Sequence, residues 1–175
     1  MAATYPDILG KITVKRDETL SRIILQVYGG FNNSYFQSII SANPGISNPD
    51  KIEVGQTITL PAIPARVTPV VEQKWWIKID DKGTLTKAFN ILRPFPEDAP
   101  AVRIIPTWSP DNGTRFLIVL KHAFADRDTA DIQMSMLPAE ISKGSELLAW
   151  ENDDTIYFAN PYTGNSGNIY QTNSP

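Results

Sequence analysis

Two helix-period runs, each cut short by its own breakers and bracketed by β-branched segments, dominate the first sixty residues. In ITVKRDETLSRIILQVYGG (residues 12–30), Ile12 and Val14 alternate with Thr13 and Lys15, the period of a half-buried strand. Thr19 stands where a helix N-cap belongs, and Leu20, Ile23, Ile24 and Val27 follow at helical spacing. Gly29-Gly30 stops that run, because glycine accepts the left-handed conformation of a helix end. Ser34 is the expected cap of a second helix carrying Phe36, Ile39 and Ile40, and Asn43-Pro44-Gly45 ends it. Val54-Gly55-Gln56 then turns into ITLP (58–61). Strand, helix, helix, strand in about fifty residues lies near the lower size limit for a domain without staples.

Composition removes several function classes. The chain has 175 residues and a net charge of −3, so no basic footprint for nucleic acid exists. Residues 11–62 carry five basic and four acidic side chains, and residues 72–160 carry ten and fourteen, so charge alone does not draw an anionic polymer to the second part. No cysteine is present, which excludes disulfides, thiolate metal sites and cysteine nucleophiles. His122 is the lone histidine, too few for the zinc peptidases that need two or more histidine ligands. Glu140, Glu146 and Glu151 sit at expected helix ends and turns, where solvated acids are ordinary, rather than as a pair flanking a cleft. The acidic run Glu151-Asn152-Asp153-Asp154 lacks the glycine and spaced glutamate of a calcium loop. No metal, no cofactor and no catalysis are therefore expected. No apolar run reaches the ~20 residues that span a bilayer.

Residues 62–71, AIPARVTPVV, have two prolines and no helical period, the composition of an extended linker. Beyond it, WWIKI (75–79) reads as a strand, Asp80 to Gly83 as a turn, and Thr84 as the cap of a helix with Leu85, Ala88, Phe89 and Leu92. VRIIPTW (102–108) reads as a strand broken or placed at an edge by Pro106. Ser109-Pro110-Asp111-Asn112-Gly113 is a hairpin turn into RFLIVL (115–120). Asp126 caps a helix stopped by Pro138, and LLAW (147–150) with TIYFA (155–159) reads as a last strand pair. That order is the split βαβ arrangement of ferredoxin-like folds. The chain is thus expected to be α+β: an extension (1–10), a βααβ module (11–62), a linker (63–73), a ferredoxin-like domain (74–160) and a loosely ordered tail or interaction segment (161–175).

The first module resembles the LysM family. Thr19-Leu20, Asn43-Pro44, Asn48-Pro49-Asp50, Ile52, Val54-Gly55-Gln56 and Ile58 match its signatures. Asp17 stands where members have glycine, and Glu18 where they have aspartate. Aspartate tolerates unusual backbone angles better than most residues, so the loop shape is expected to survive with weaker binding. The resemblance implies a shallow groove for N-acetylglucosamine glycans, peptidoglycan or a chitin-like oligosaccharide. One side would be Asp17, Glu18, Thr19 and Leu20, the other Pro44, Gly45, Ile46 and Ser47, with Lys51 and Ile52 nearby. Leu20, Ile46 and Ile52 are equally core candidates, and Asn43 and Asn48 turn caps.

More faintly, RFLIVLKHAFADRDTADIQMSMLP (115–138) resembles the SPOR domain, a ferredoxin-like peptidoglycan-binding module. This resemblance implies a second surface at Trp76, Lys78, Arg115 and Lys121; a protein-docking role is equally open. Of the adjacent Trp75 and Trp76, one is expected in the core and the other at the surface. MAATYPDILG lacks the pattern of a secretory signal, whereas a glycan-binding module implies export. The expected setting is the periplasm or cell envelope, as part of a longer exported protein, with a cytoplasmic protein as the minority alternative. The expected role is a non-catalytic anchor of an envelope protein or complex. The alternative is a scaffold, with a degenerate LysM module, that docks proteins in a secretion or tail-like assembly.

Overall fold

The computed structural model describes residues 4–67, 73–150 and 154–162. Strand β1 (Ile8–Thr13), helices α1 (Leu20–Tyr28) and α2 (Asn33–Ala42), and strand β2 (Thr57–Pro61) form the first unit. β1 and β2 pair antiparallel with Ile12 opposite Ile58, which puts both β-branched side chains on one inner face with Leu60. β1 begins at Ile8, within the segment expected to be an extension. Thr19 caps α1 by accepting from the Arg22 amide, and the helix buries Leu20, Ile23, Ile24, Val27 and Tyr28. Gly29 closes it at φ 71°. The cap of α2 is Asn32, not Ser34: the amide oxygen of Asn32 accepts from the Tyr35 amide at 2.8 Å and starts the helix two residues earlier.

The second unit comprises β3 (Trp76–Lys82), α3 (Leu85–Leu92), β4 (Val102–Ser109), β5 (Gly113–Leu120), α4 (Arg127–Ser135), α5 (Ala139–Ser142), β6 (Glu146–Leu148) and β7 (Ile156–Tyr157). Its antiparallel sheet has the order β6-β3-β5-β4-β7. The molecule is therefore α+β. Three expectations are corrected here. Asp80 to Lys82 belong to β3, not to a turn, because they pair with Phe116 to Ile118 across a register shift near Ile79. β4 is unbroken and interior: Pro106 pairs with Phe116, and its carbonyl accepts from the Phe158 amide. The missing N–H of Pro106 points to that same side, where β7 pairs with only Thr107 and Trp108. The last two strands do not pair with each other; β6 joins β3 and β7 joins β4, at opposite edges. Glu151, Asn152 and Asp153, read as their turn, lie outside the described residues.

One face of this sheet carries Ile77, Ile104, Phe116 and Ile118 against Leu85, Ala88 and Phe89 of α3. The same buried cluster continues into Leu9, Ile12, Ile23, Ile24 and Val27, so the helix side of the sheet and the βααβ unit share one core. At the seam a Cβ on Gly10 would lie 3.0 Å from Leu85 Cβ, and Thr86 Oγ1 donates to the Lys11 carbonyl at 3.2 Å. Behind α1, the guanidinium of Arg103 reaches Gly29 and donates to the Asn160 carbonyl; burial pulls its pKa down to about 10. The residues read as a linker are fastened too, with the Ala65 amide donating to the Tyr157 carbonyl at 2.8 Å. Linker residues 68–72 and tail residues 163–175 lie outside the described residues.

Candidate functional site

Asn43, the last residue of the α2 cap region, organises the loop that follows. Its Nδ2 donates to the carbonyls of Ile39 and Thr59, and its Oδ1 accepts from the Thr59 amide, all at 2.7 Å. A buried amide side chain thus pairs with β2 as a neighbouring strand would, and joins α2 to that strand. From this clamp the chain runs through short turns: Ile46 N to Asn43 O, Asp50 N to Asn48 Oδ1, and Lys51 N to Asn48 O. Gln56 Oε1 accepts from the Glu53 amide and closes the next turn.

These turns enclose an open depression of ≈ 530 Å³ lined by Gly45 to Asn48, Lys51 and Glu53 to Gln56. Four residues inferred from the family resemblance, Gly45, Ile46, Ser47 and Lys51, line it together. Ile46 is half-buried on the core and supplies an apolar floor. Pro44 is exposed but outside the lining, and Ile52 is half-buried against the core. The opposite wall is Glu53 to Gln56, of which Val54-Gly55-Gln56 was legible as a turn and a family signature but not as contact residues. Its Val54 is 68% exposed, an apolar side chain at a turn tip where packing does not call for one.

That wall hangs from the end of β1. Val14 donates to the Gln56 carbonyl at 2.8 Å and accepts from the Gly55 amide at 2.9 Å. One residue further begins the turn Lys15 to Glu18, in which the Glu18 amide meets the Lys15 carbonyl. Asp17 takes φ 63°, alone among described non-glycine residues in having a positive φ, and its side chain is exposed. The backbone shape of a glycine loop is kept here at a cost of about 1 kcal/mol. Asp17→Gly is expected to raise stability by about 0.5–1 kcal/mol in urea melts, and Asp17→Val to lower it by a similar amount or more.

Of the remaining loop residues, Thr19 is exposed with its hydroxyl on the Arg22 amide, and Leu20 is in the core. Glu18 faces the second unit. Its carboxylate accepts from the Lys15 amide at 2.8 Å and from Arg93 Nε and Nη2 at 2.7 and 2.9 Å. Only 10% of the side chain is exposed. Burial works to raise its pKa, but the Arg93 and Lys15 hydrogen bonds and the charges of Arg93 and Arg22 outweigh it and hold the carboxyl below the ordinary 4.5. A depressed folded pKa means stability that is complete above the unfolded value and lost as pH falls through the folded one. Glu18→Gln is therefore expected to cost about 1–2 kcal/mol at pH 7, with the difference from wild type closing below pH 4 in denaturant titrations.

The helix-free face of the five-stranded sheet offers a second concavity. An open cleft of ≈ 690 Å³ has Leu117 and Thr107 in its floor and Trp75, Trp150 and Tyr157 among its lining. Arg115 lines it, paired to Asp81 at 2.9 Å. The other residues proposed for a second surface fall differently. Trp76 is 1% exposed, because the rings of Trp150 and Tyr162 pack against it. Lys78 is ion-paired with Glu146, and Lys121 is exposed at the end of β5, outside the cleft. Trp75 is the half-exposed member of the tryptophan pair, with the Arg127 guanidinium over its ring. His122 is exposed, and among the described residues no group of three His, Asp or Glu side chains could hold a metal.

No curated protein and no solved structure matches the chain. One family model does, that of the LysM domain, over residues 12–61, the span from Ile12 near the end of β1 to the end of β2. The unit that carries the depression, its Val14-anchored wall and the left-handed turn at Asp17 is a LysM domain.

Proposed function

We propose that the LysM domain holds an N-acetylglucosamine polymer, as in peptidoglycan or a chitin-like oligosaccharide, against the depression between residues 45 and 56. LysM domains are binding modules for such glycans and are typical of extracytoplasmic or cell-wall proteins. The observation that carries the reading is the coincidence of that family match with a shallow, open site. A neutral, acetamido-bearing polymer needs backbone donors and acceptors and a small apolar floor, and Ile46 and Val54 provide the apolar part. Gly45, Ser47 and Lys51 supply backbone and polar contacts there; Pro44 and Ile52 flank them in sequence, and Asp17 and Thr19 stand outside the lining. Glu18 and Leu20 serve the loop from behind.

On this reading the chain has no catalytic role and anchors an envelope protein or complex to the wall, in the periplasm or at the cell surface. No helix among the described residues is long and apolar enough to cross a membrane. The second unit, residues 74–160, is a ferredoxin-like domain; the order β6-β3-β5-β4 within its sheet and the strand-helix-hairpin-helix-strand sequence support this. Titration of the full chain with N-acetylglucosamine hexamer and a sacculus pull-down test the reading. Binding that is lost in Ile46→Asp supports it; no binding at millimolar oligomer and no pull-down would reject it.

The aromatic cleft favours one second reading, a scaffold that docks an envelope protein through the sheet face. Trp75→Ala would then abolish partner capture while sacculus binding stays unchanged.

A further inference from the structure

We propose that Arg93, at the end of α3 in the second unit, is a positioning residue for the glycan site of the LysM domain. The inference rests on the glycan reading above and adds to it a residue outside the LysM segment. Arg93 grips the first unit on both sides of Val14. Its Nη2 donates to the Thr13 carbonyl at 2.9 Å, and its Nε and Nη2 hold the Glu18 carboxylate, which in turn holds the Lys15 amide. Val14, between these points, carries the wall of the depression through Gly55 and Gln56.

The guanidinium is itself fixed. It lies 5.0 Å from the centre of the Phe89 ring, and Phe89 is fully buried in the shared core. The Arg93 amide caps α3 on the Phe89 carbonyl, so side chain and backbone are both referenced to that helix. A planar fork with several donors suits three oxygen acceptors at once; an ammonium does not reproduce it. A site read by backbone groups at a shallow surface depends on those groups being held in place before the ligand arrives. The second unit therefore acts on glycan affinity without touching the glycan.

The test uses the full chain with Arg93→Ala, Arg93→Lys and, as a control at the same seam, Thr86→Ala, whose hydroxyl reaches Lys11 and not the 13–18 segment. Affinity for N-acetylglucosamine hexamer is measured by calorimetry, and amide exchange at Lys15 and Gly55 by NMR. Arg93→Ala is expected to bind about tenfold more weakly and to exchange faster at both amides, Arg93→Lys to recover part of each, and Thr86→Ala to match wild type in both. Binding by Arg93→Ala within about twofold of wild type, or unchanged exchange, overturns the inference. Absence of binding by the wild type rejects the glycan reading instead, and the exchange data alone then decide whether Arg93 holds the wall.

Discussion

Phe89→Ala is expected to lower the stability of the entire chain by about 3–5 kcal/mol and to leave a single unfolding transition. Phe89 is fully buried in a cluster that contains Leu9, Ile12, Ile23 and Val27 of the LysM domain and Ile77, Ile104 and Phe116 of the sheet. Removing the ring opens a cavity in this shared cluster, on a helix that packs against both β1 and the sheet. The chain offers its own reporters. All four tryptophans, Trp75, Trp76, Trp108 and Trp150, lie in the second unit, whereas Tyr28 and Tyr35 stack in the first. Fluorescence thus follows the sheet, and NMR signals of Tyr28, Tyr35 and the Ile23 and Val27 methyls follow the LysM domain. Coincident shifts of both midpoints are expected. A tryptophan midpoint that moves while Ile23 and Val27 keep their wild-type midpoint would show two independent units.

Asn43→Leu is expected to cost about 3 kcal/mol or more, and more than any substitution at its exposed neighbour Pro44. Leucine has a similar volume but strands the Thr59 amide and the Ile39 and Thr59 carbonyls, which Asn43 now satisfies. Asn43→Asp keeps the acceptor for the Thr59 amide, loses both donors and places a carboxylate beside two carbonyls; its cost is expected to fall on acidification, when the carboxyl can donate again. Because this clamp sets the start of the 44–52 loop, both variants should also weaken hexamer binding. Denaturant melts at pH 7 and pH 4 compare the two.

The local rules were legible where the chain makes its own caps. Thr19, Thr84, Asp126 and Gly29 act as the sequence indicates, since each bond closes within a few residues. What was not legible depends on partners distant in sequence. Asn43 reads as a turn former, and its pairing with Thr59 needs β2 to return beside α2. Glu18 reads as an exposed loop acid, and 75 residues separate it from the arginine that engages it. Trp76 is placed at a surface by the second resemblance, whereas Trp150, far along the chain, packs against its ring. The seam shared by the two units has no sequence signature at all, because Gly10 and Leu85 each look ordinary within their own segment. For the site, the family resemblance pointed to Gly45 through Ser47 and Lys51 as contacts; Val54 belonged to a matched signature and a turn, and was not assigned a contact.

The central claim is that glycan is held by the 45–56 depression of the LysM domain. Amide chemical-shift mapping of the full chain during titration with N-acetylglucosamine hexamer tests it most directly. Saturating shifts centred on Gly45, Ile46, Ser47, Lys51 and Gly55, with smaller ones at Lys15 and Asp17, are the result expected. Shifts confined to Trp75, Arg115 and Tyr157 in the sheet cleft, or no shifts at millimolar hexamer, would contradict it.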